Sequence, residues 1–99
     1  MKPARPLEKD IERKVCDYAK SLGFLVYKFT SISRRSVPDR IFIAEGIETF
    51  WIEFKRKGEK PTAAQQVEID KIRAKGKTVH VVDNVPAGKE LIDFMLILK

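Results

Sequence analysis

VPDRIFIAEGIETFWIEFKR, residues 37–56, contains the pattern that decides the fold. Two runs rich in β-branched and aromatic residues, residues 40–44 and 49–55, flank a short segment that contains Gly46. Runs of this composition favour β-strands. Because they are separated by a short glycine-containing segment, they predict an antiparallel β-hairpin.

The register of this hairpin determines which charged side chains meet. Glu53 and Lys55 are two residues apart, so both side chains leave the same face of the second strand. A three-residue loop centred on Gly46 places Asp39 directly across from Glu53, with the Cβ atoms about 5 Å apart. A different loop length would shift this register. The expected result is a patch of two carboxylates and one ammonium group.

Two carboxylates at this separation suit a hard cation with oxygen ligands, such as Mg²⁺ or Mn²⁺. A bound cation of this kind polarises a phosphoryl oxygen and lowers the pKa of a water nucleophile. Lys55 would then orient the water or stabilise charge that builds up on phosphorus. The alternative is a solvated strand face beside a loop aspartate, and the spacing of these three residues leaves both interpretations open.

The segments around the hairpin predict an α/β fold. Apolar residues at three- and four-residue spacing predict a helix over residues 6–22, which Gly23 ends. The other predicted elements are a strand over 24–29, a polar and basic loop over 30–38, a connector over 56–61, a helix over 62–75, a strand over 77–83 and a helix from about Pro86. The order is α-β-β-β-α-β-α, with a central mixed sheet flanked by helices.

Composition indicates one small globular domain over residues 1–99, with 43% hydrophobic and 34% charged residues. Twenty Lys and Arg against fourteen Asp and Glu give a net charge of +6, which predicts a polyanionic partner. Cys16 is the one cysteine, so no internal disulfide is possible and a cytoplasmic location is expected. The most apolar stretch, residues 91–98, is too short to span a bilayer, and no membrane role is expected.

The segments VPDR (residues 37–40) and WIEFKR (residues 51–56) resemble the pattern of the PD-(D/E)XK nuclease superfamily: Pro-Asp, a hairpin, then Glu-x-Lys. Further features fit one branch: Glu8 in the first helix, Lys28 in the first strand, Thr62-x-x-Gln65, and Gly76 before a valine-rich strand. Over about residues 8–83 the chain is similar to a stand-alone VRR-NUC domain, the virus-type replication-repair nuclease family. The resemblance implies a restriction-endonuclease-like core and a Mg²⁺- or Mn²⁺-dependent endodeoxyribonuclease.

The resemblance also implies a role for each matching residue. Asp39 and Glu53 correspond to the metal ligands, together with the backbone carbonyl of Phe54. Lys55 corresponds to the catalytic lysine. Glu8 corresponds to an acid that reaches the metal directly or through water, and Gln65 to a glutamine that borders the site.

Three positions have competing interpretations. Glu8 lies closer to the apolar stripe of its helix than Glu12, but it could also be a first-turn acid favoured by the helix dipole. Gln65 lies on the buried stripe of its helix, but it could serve only as part of a capping box. The family usually has glycine where this chain has Ser36. If that glycine has a positive φ, Ser36 would be strained or the loop before Asp39 would shift.

Basic residues flank the expected site. We expect six of them to contact phosphates and to make binding steeply dependent on salt: Arg34, Arg35, Arg40, Arg56, Lys57 and Lys60. The alternative for each is a solvated basic loop.

The predicted function is a metal-dependent, structure-selective DNA endonuclease. Stand-alone members of the family are often phage-borne and structure-selective, so the resemblance implies a branched substrate, a junction or flap, and a role in DNA repair. A homodimer with two active sites would suit a four-way (Holliday) junction, since two symmetric cuts need two sites. Residues 91–98 would form either the dimer contact or part of the core. The alternative function is a non-catalytic nucleic-acid-binding module of the same fold.

Overall fold

Three helices and four strands make up the computed structural model, which describes residues 6–99. In chain order they are α1 (Glu8–Ser21), β1 (Leu25–Lys28), β2 (Arg40–Ala44), β3 (Ile47–Phe54), α2 (Ala63–Ala74), β4 (Thr78–Val82) and α3 (Val85–Leu98). The predicted order of elements is therefore confirmed, with ends that differ by at most two residues. Residues 1–5 of the predicted domain lie outside the described residues.

The four strands form one mixed sheet in the order β1-β2-β3-β4. β1 pairs with β2 and β2 pairs with β3 in the antiparallel direction, whereas β3 and β4 are parallel. The parallel pair needs a crossover connection, which α2 provides. The predicted α/β class with a mixed sheet and flanking helices is confirmed.

The turn of the β2–β3 hairpin differs from the expected three-residue loop. Phe42 pairs with Phe50, as predicted, but Ala44 pairs with Ile47, so the loop contains only two residues, Glu45 and Gly46. A β-bulge between Phe42 and Ala44 takes up the difference of one residue. Gly46, the second residue of this turn, has a positive φ of +74°, a conformation that glycine adopts without steric cost. The predicted register at the site is thus correct although the predicted loop is wrong.

Alternation along β3 separates the core from the opposite sheet face. Phe50, Ile52 and Phe54 are fully buried and belong to the main hydrophobic core. This core also takes in Ile11, Val15, Cys16 and Ala19 of α1 and Ile92 of α3, so these two helices cover one face of the sheet. Trp51 and Glu53 point to the opposite face.

The apolar run near the C-terminus is both core and surface. In α3, Ile92 is fully buried, whereas Phe94, Ile97 and Leu98 are exposed. The core interpretation of residues 91–98 therefore holds for Ile92 but not for the three exposed side chains. In residues 6–99 no helix has the length and apolar character that crossing a membrane requires.

α1 and α3 approach each other closely at Gly88. A Cβ atom on this buried residue would lie 2.4 Å and 3.0 Å from the two γ-methyl groups of Val15 and 3.2 Å from Cγ1 of Val82. Both methyl groups of Val15 are in the way, so a rotation about its χ1 does not clear the space. Gly88 thus allows the two helices to pack at this distance.

We expect Gly88→Ala to lower the free energy of unfolding by about 1–3 kcal/mol, the usual cost of overpacking a core. The helix propensity of alanine, about 1 kcal/mol better than glycine, offsets only part of this loss. Chemical denaturation measures the change. In a Val15→Ala background, which removes the opposing methyl groups, the same substitution should cost much less. Equal losses in both backgrounds would contradict this explanation.

Candidate active site

The predicted site residues converge where β2 begins and β3 ends. Asp39 directly precedes β2, Glu53 is the penultimate residue of β3, and Lys55 directly follows β3. Glu8 is the first residue of α1. The charges of Asp39 and Lys55 both act on the pKa values of Glu8 and Glu53, which places these residues in one electrostatic environment.

Asp39 is fixed by hydrogen bonds from two strands. The backbone N–H of Phe54 donates to Oδ2 of Asp39 at 2.8 Å, and the backbone N–H of Phe29 donates to the Asp39 carbonyl at 2.9 Å. The preceding residue, Pro38, is fully buried. Burial raises the pKa of the Asp39 carboxyl group, and the hydrogen bond from Phe54 opposes this rise.

Glu53 is a buried carboxylate without a hydrogen-bond partner. Its side chain is 1% exposed, and neither carboxylate oxygen accepts a hydrogen bond from any residue in the described part of the chain. The nearest cation is Lys55, whose Nζ lies 3.7 Å from Oε2. Burial, followed by the charge of Asp39, raises the pKa of Glu53 to about 7, while Lys55 acts in the opposite direction. The carboxylate is therefore poorly compensated by the protein alone.

Glu8 and Glu12 have different surroundings. Glu8 is half-buried, and its pKa is raised first by burial and second by the charge of Asp39. Glu12 accepts a hydrogen bond of 2.5 Å from Nε of Arg40 and forms an ion pair with it. Glu12 is thus paired with Arg40, and its charge also raises the pKa of Asp39. The pKa of Glu8, by contrast, is raised by burial and by Asp39 and lowered by Lys55.

The residues fit a divalent cation that is completed by its substrate. No group of three or more His, Cys, Asp or Glu residues within residues 6–99 has an arrangement that would hold a metal ion alone. Mg²⁺, however, is usually held by one or two carboxylates together with water and substrate phosphates. The unpartnered oxygens of Glu53 beside Asp39 supply this donor set, and the backbone carbonyl of Phe54 follows directly in the chain.

Gln65 has a structural role that accounts for its side chain. Its Oε1 accepts from the backbone N–H of Thr62, whose Oγ1 accepts from the backbone N–H of Gln65, so the expected capping box is present. Within the described residues no hydrogen bond joins Gln65 to Asp39, Glu53 or Lys55. Gln65 lies in the first turn of α2, and its side-chain hydrogen bonds in the described part of the chain are those of the capping box.

Ser36 adopts an ordinary backbone conformation. Among residues 6–99 every positive φ belongs to a glycine, so Ser36 carries no left-handed strain. The loop before Asp39 therefore accommodates serine without the distortion that a positive φ would cause.

The predicted DNA-binding residues fall into two groups. Two arginines have acidic partners: Nε of Arg34 lies 3.8 Å from Oε1 of Glu68, and Arg40 pairs with Glu12. Arg35, Lys57 and Lys60 are exposed, while Arg56 is half-buried and has a buried Nε without a hydrogen-bond partner among the described residues. Two of the six predicted DNA-binding residues, Arg34 and Arg40, are therefore ion-paired with acidic side chains.

The sequence pattern does not predict that Glu68 is the acidic partner of Arg34. Glu68 is nearly buried and lies between Arg34, 34 residues earlier, and Lys71, whose Nζ is 3.0 Å from Oε2 of Glu68. The lysine follows helical i,i+3 spacing and was open to prediction. The contact with Arg34 depends on how the loop over residues 30–38 folds onto α2, which local spacing does not encode.

Comparisons with known proteins agree with this fold. No family model matches the sequence. The protein named "Putative nuclease p44", from Acyrthosiphon pisum secondary endosymbiont phage 1, is 36% identical over 77 residues, which are 78% of this chain and 83% of that protein. A solved structure described as a VRR_NUC domain has a TM-score of 0.80 at 26% identity and covers 87% of this chain and 94% of its own.

A second solved structure, described as a VRR_NUC domain protein, shares the fold. Its TM-score is 0.80 at 19% identity, over 97% of this chain and 93% of its own. The sequence relative is named a "putative nuclease", and both solved structures are described as VRR_NUC domains. The chain belongs to the VRR-NUC family of nucleases.

The raised pKa of Glu53 predicts how stability depends on pH. The folded protein holds a proton on Glu53 up to about pH 7, whereas the unfolded chain releases it near its ordinary value of 4.5. This stabilising contribution is complete below pH 4.5 and is lost as the pH rises through about 7. In EDTA, we expect Glu53→Gln to be more stable than the natural protein at pH 8, by about 1–3 kcal/mol, and to lose this advantage at pH 4.5.

Chemical denaturation at the two pH values measures this difference. Glu48→Gln is the matched control, because it makes the same change at an exposed position of the same strand. A Glu53→Gln variant that is less stable than the natural protein at pH 8 would show that Glu53 is well compensated when no metal is present.

Proposed function

We propose that this nuclease is a metal-dependent endonuclease that hydrolyses phosphodiester bonds of DNA. The observation that carries the proposal is the buried Glu53, whose two carboxylate oxygens have no hydrogen-bond partner in the described chain and which lies beside Asp39 and Lys55. An uncompensated buried carboxylate is costly and is normally paired or bound to a metal. Asp39, Glu53 and the carbonyl of Phe54 would hold Mg²⁺ or Mn²⁺.

Each residue has a proposed task. When bound, the cation supplies Lewis-acid polarisation of a phosphoryl oxygen and favours deprotonation of the attacking water. Asp39 is held in place for binding by the N–H of Phe54. Lys55 stabilises negative charge on the reacting phosphate and orients the water. Glu8 contributes a further acid, directly or through water, and Gln65 is proposed as a residue at the border of the site.

The alternative, a binding module without catalysis, explains less of the site. Binding of a polyanion is opposed by carboxylates near the phosphates. A protein that only binds DNA gains nothing from a buried Glu53 beside Asp39, whereas a hydrolase needs the metal that they would hold.

The basic surface supports DNA as the substrate. The net charge is +6, and the six basic residues proposed to contact phosphates flank the acidic cluster: Arg34, Arg35, Arg40, Arg56, Lys57 and Lys60. They would position the backbone over the site while carrying no sequence information. Structure-selective cleavage, at a junction or flap, requires only recognition of shape.

We further propose a homodimer that acts as a Holliday-junction resolvase-like enzyme in repair. Phe94, Ile97 and Leu98 of α3 are exposed together, beside a cavity of about 390 Å³ between the end of α3 and the hairpin turn. Burying this apolar surface in a symmetric dimer would provide two active sites for two cuts. The phage relative supports a phage origin and action in the host cytoplasm.

We expect Lys55→Met to lower the rate of cleavage by about 10²–10³-fold, the cost of removing one donor to the reacting group. Methionine keeps much of the alkyl length, so the change isolates the charge. End-labelled four-way junction, flap, single strand and linear duplex are incubated with Mg²⁺, with Mn²⁺ and with EDTA. The readout is the position and rate of cutting near the branch point.

Lys14→Met, an exposed lysine of α1, is the matched control and should cut like the natural protein. Symmetric paired cuts and a dimeric mass in solution would support the resolvase proposal. If every substrate is bound and none is cut with either metal, the catalytic proposal fails and the binding module replaces it.

The two groups of arginines should respond differently to salt. Replacing Arg35 with alanine should reduce the slope of log affinity against log salt by about 0.9, the value for one lost phosphate contact. Arg40→Ala should change the slope less, because Glu12 already compensates its charge. Binding titrations in EDTA between 50 and 200 mM salt measure both slopes. Over this interval the affinity of a protein with extensive phosphate contacts falls by about 10³–10⁵-fold. Equal slopes for both variants would contradict the distinction.

A further inference from the structure

Ile32 is an apolar side chain presented entirely to solvent. Its relative exposure of 108% is the highest among the exposed large hydrophobic residues of the described chain. It lies at a bend in the loop that joins β1 to β2, between Ser31 and Ser33, with Arg34 and Arg35 following. Single exposed apolar residues are common, so exposure alone assigns no role.

The loop that carries Ile32 is held on both sides. Before it, the ring of Phe29 packs edge-to-face against Trp51 with centroids 5.7 Å apart. After it, Arg34 pairs with the nearly buried Glu68 of α2, and Pro38 is fully buried. Ile32 therefore lies between two points at which the chain contacts the rest of the fold.

The same loop borders the active site. A cavity of about 340 Å³ lies beneath it and is lined by Lys28, Ser31, Arg35 and Asp39 among others. Ser31 and Asp39 line one cavity, so the residue next to Ile32 and a proposed metal ligand face the same space. A DNA strand that reaches Asp39 through this cavity passes close to Ile32, and Arg34 and Arg35 lie beside its phosphates.

We propose that Ile32 packs against the exposed face of a base at a branch point and so selects branched over linear DNA. This inference rests on the proposed function and names what the same site recognises. In a continuous duplex the base faces are stacked, and an apolar wedge must first separate them, at a cost of a few kcal/mol per step. At a branch point stacking is interrupted, so the side chain finds an apolar face without that cost.

The test compares Ile32→Ser, which removes the apolar bulk, with Ile32→Leu, which keeps it. Four-way junctions carry 2-aminopurine at the branch point, and binding is measured in EDTA by affinity and by fluorescence. We expect Ile32→Ser to bind the junction about tenfold more weakly, equivalent to about 1.4 kcal/mol, with linear duplex affinity changed less than twofold. Its 2-aminopurine signal should also differ from that of the natural protein, whereas Ile32→Leu should reproduce both values.

The outcomes separate this inference from the function on which it rests. Unchanged junction preference and fluorescence in Ile32→Ser, in a protein that still cuts with Mg²⁺, would overturn the role of Ile32 alone. If Ile32→Ser loses the same affinity for junction and for linear duplex, Ile32 contacts DNA without regard to branching. That result would also overturn the proposed role of Ile32. If the natural protein binds no DNA, the proposed function and this inference fall together. Because Ile32 is fully exposed, its variants should fold, which thermal denaturation checks.

Discussion

The register between β2 and β3 is the constraint on which the rest of the site depends. It brings the start of β2 level with the end of β3, and the N–H of Phe54 then reaches Oδ2 of Asp39. A slip of one residue would turn Glu53 to the face of the sheet that α1 and α3 cover, because side chains alternate along a strand. The bulge between Phe42 and Ala44 takes up the one-residue difference between the two-residue turn and the pairing of Phe42 with Phe50. The geometry at the far end of the hairpin therefore depends on this local irregularity near the turn.

The fold tolerates a costly carboxylate because its core is strongly apolar. Phe42 and Phe50 stack with centroids 5.0 Å apart, and Phe24 packs edge-to-face on Phe50 at 6.0 Å. These rings lie on the face of the sheet that α1 and α3 cover, opposite Glu53. Burial of these rings stabilises the fold on one face of the sheet, and burial of Glu53 on the opposite face offsets part of that stabilisation. Glu53 is buried without hydrogen-bond partners in the described chain, which favours a site completed by a bound cation over one that is complete when empty.

Local patterns were sufficient for the elements and for the residues brought together at Asp39, Glu53 and Lys55. Strand composition, the glycine stops and the Thr62–Gln65 capping box act over a few residues, so the sequence expresses them directly. The turn was mispredicted because a two-residue loop with a bulge and a three-residue loop give the same register at Phe42 and Phe50. The contact of Arg34 with Glu68 could not be predicted from the sequence, since it depends on tertiary packing of a loop on a helix.

The proposed dimer and the proposed recognition of a branch point use opposite ends of the molecule. β3 and β4 are parallel, so α3 starts beside the strand ends that carry Glu53 and runs back toward the hairpin turn. A Cβ on Gly46 in that turn would lie 4.0 Å from the Lys99 side chain, which places the end of α3 there. Six residues separate Ile47 from Glu53, which corresponds to about 20 Å along a strand. A symmetric contact through Phe94, Ile97 and Leu98 would therefore leave both acidic clusters uncovered and facing outward. The two arms of one junction could then reach two sites without displacing the dimer contact, as paired cutting requires.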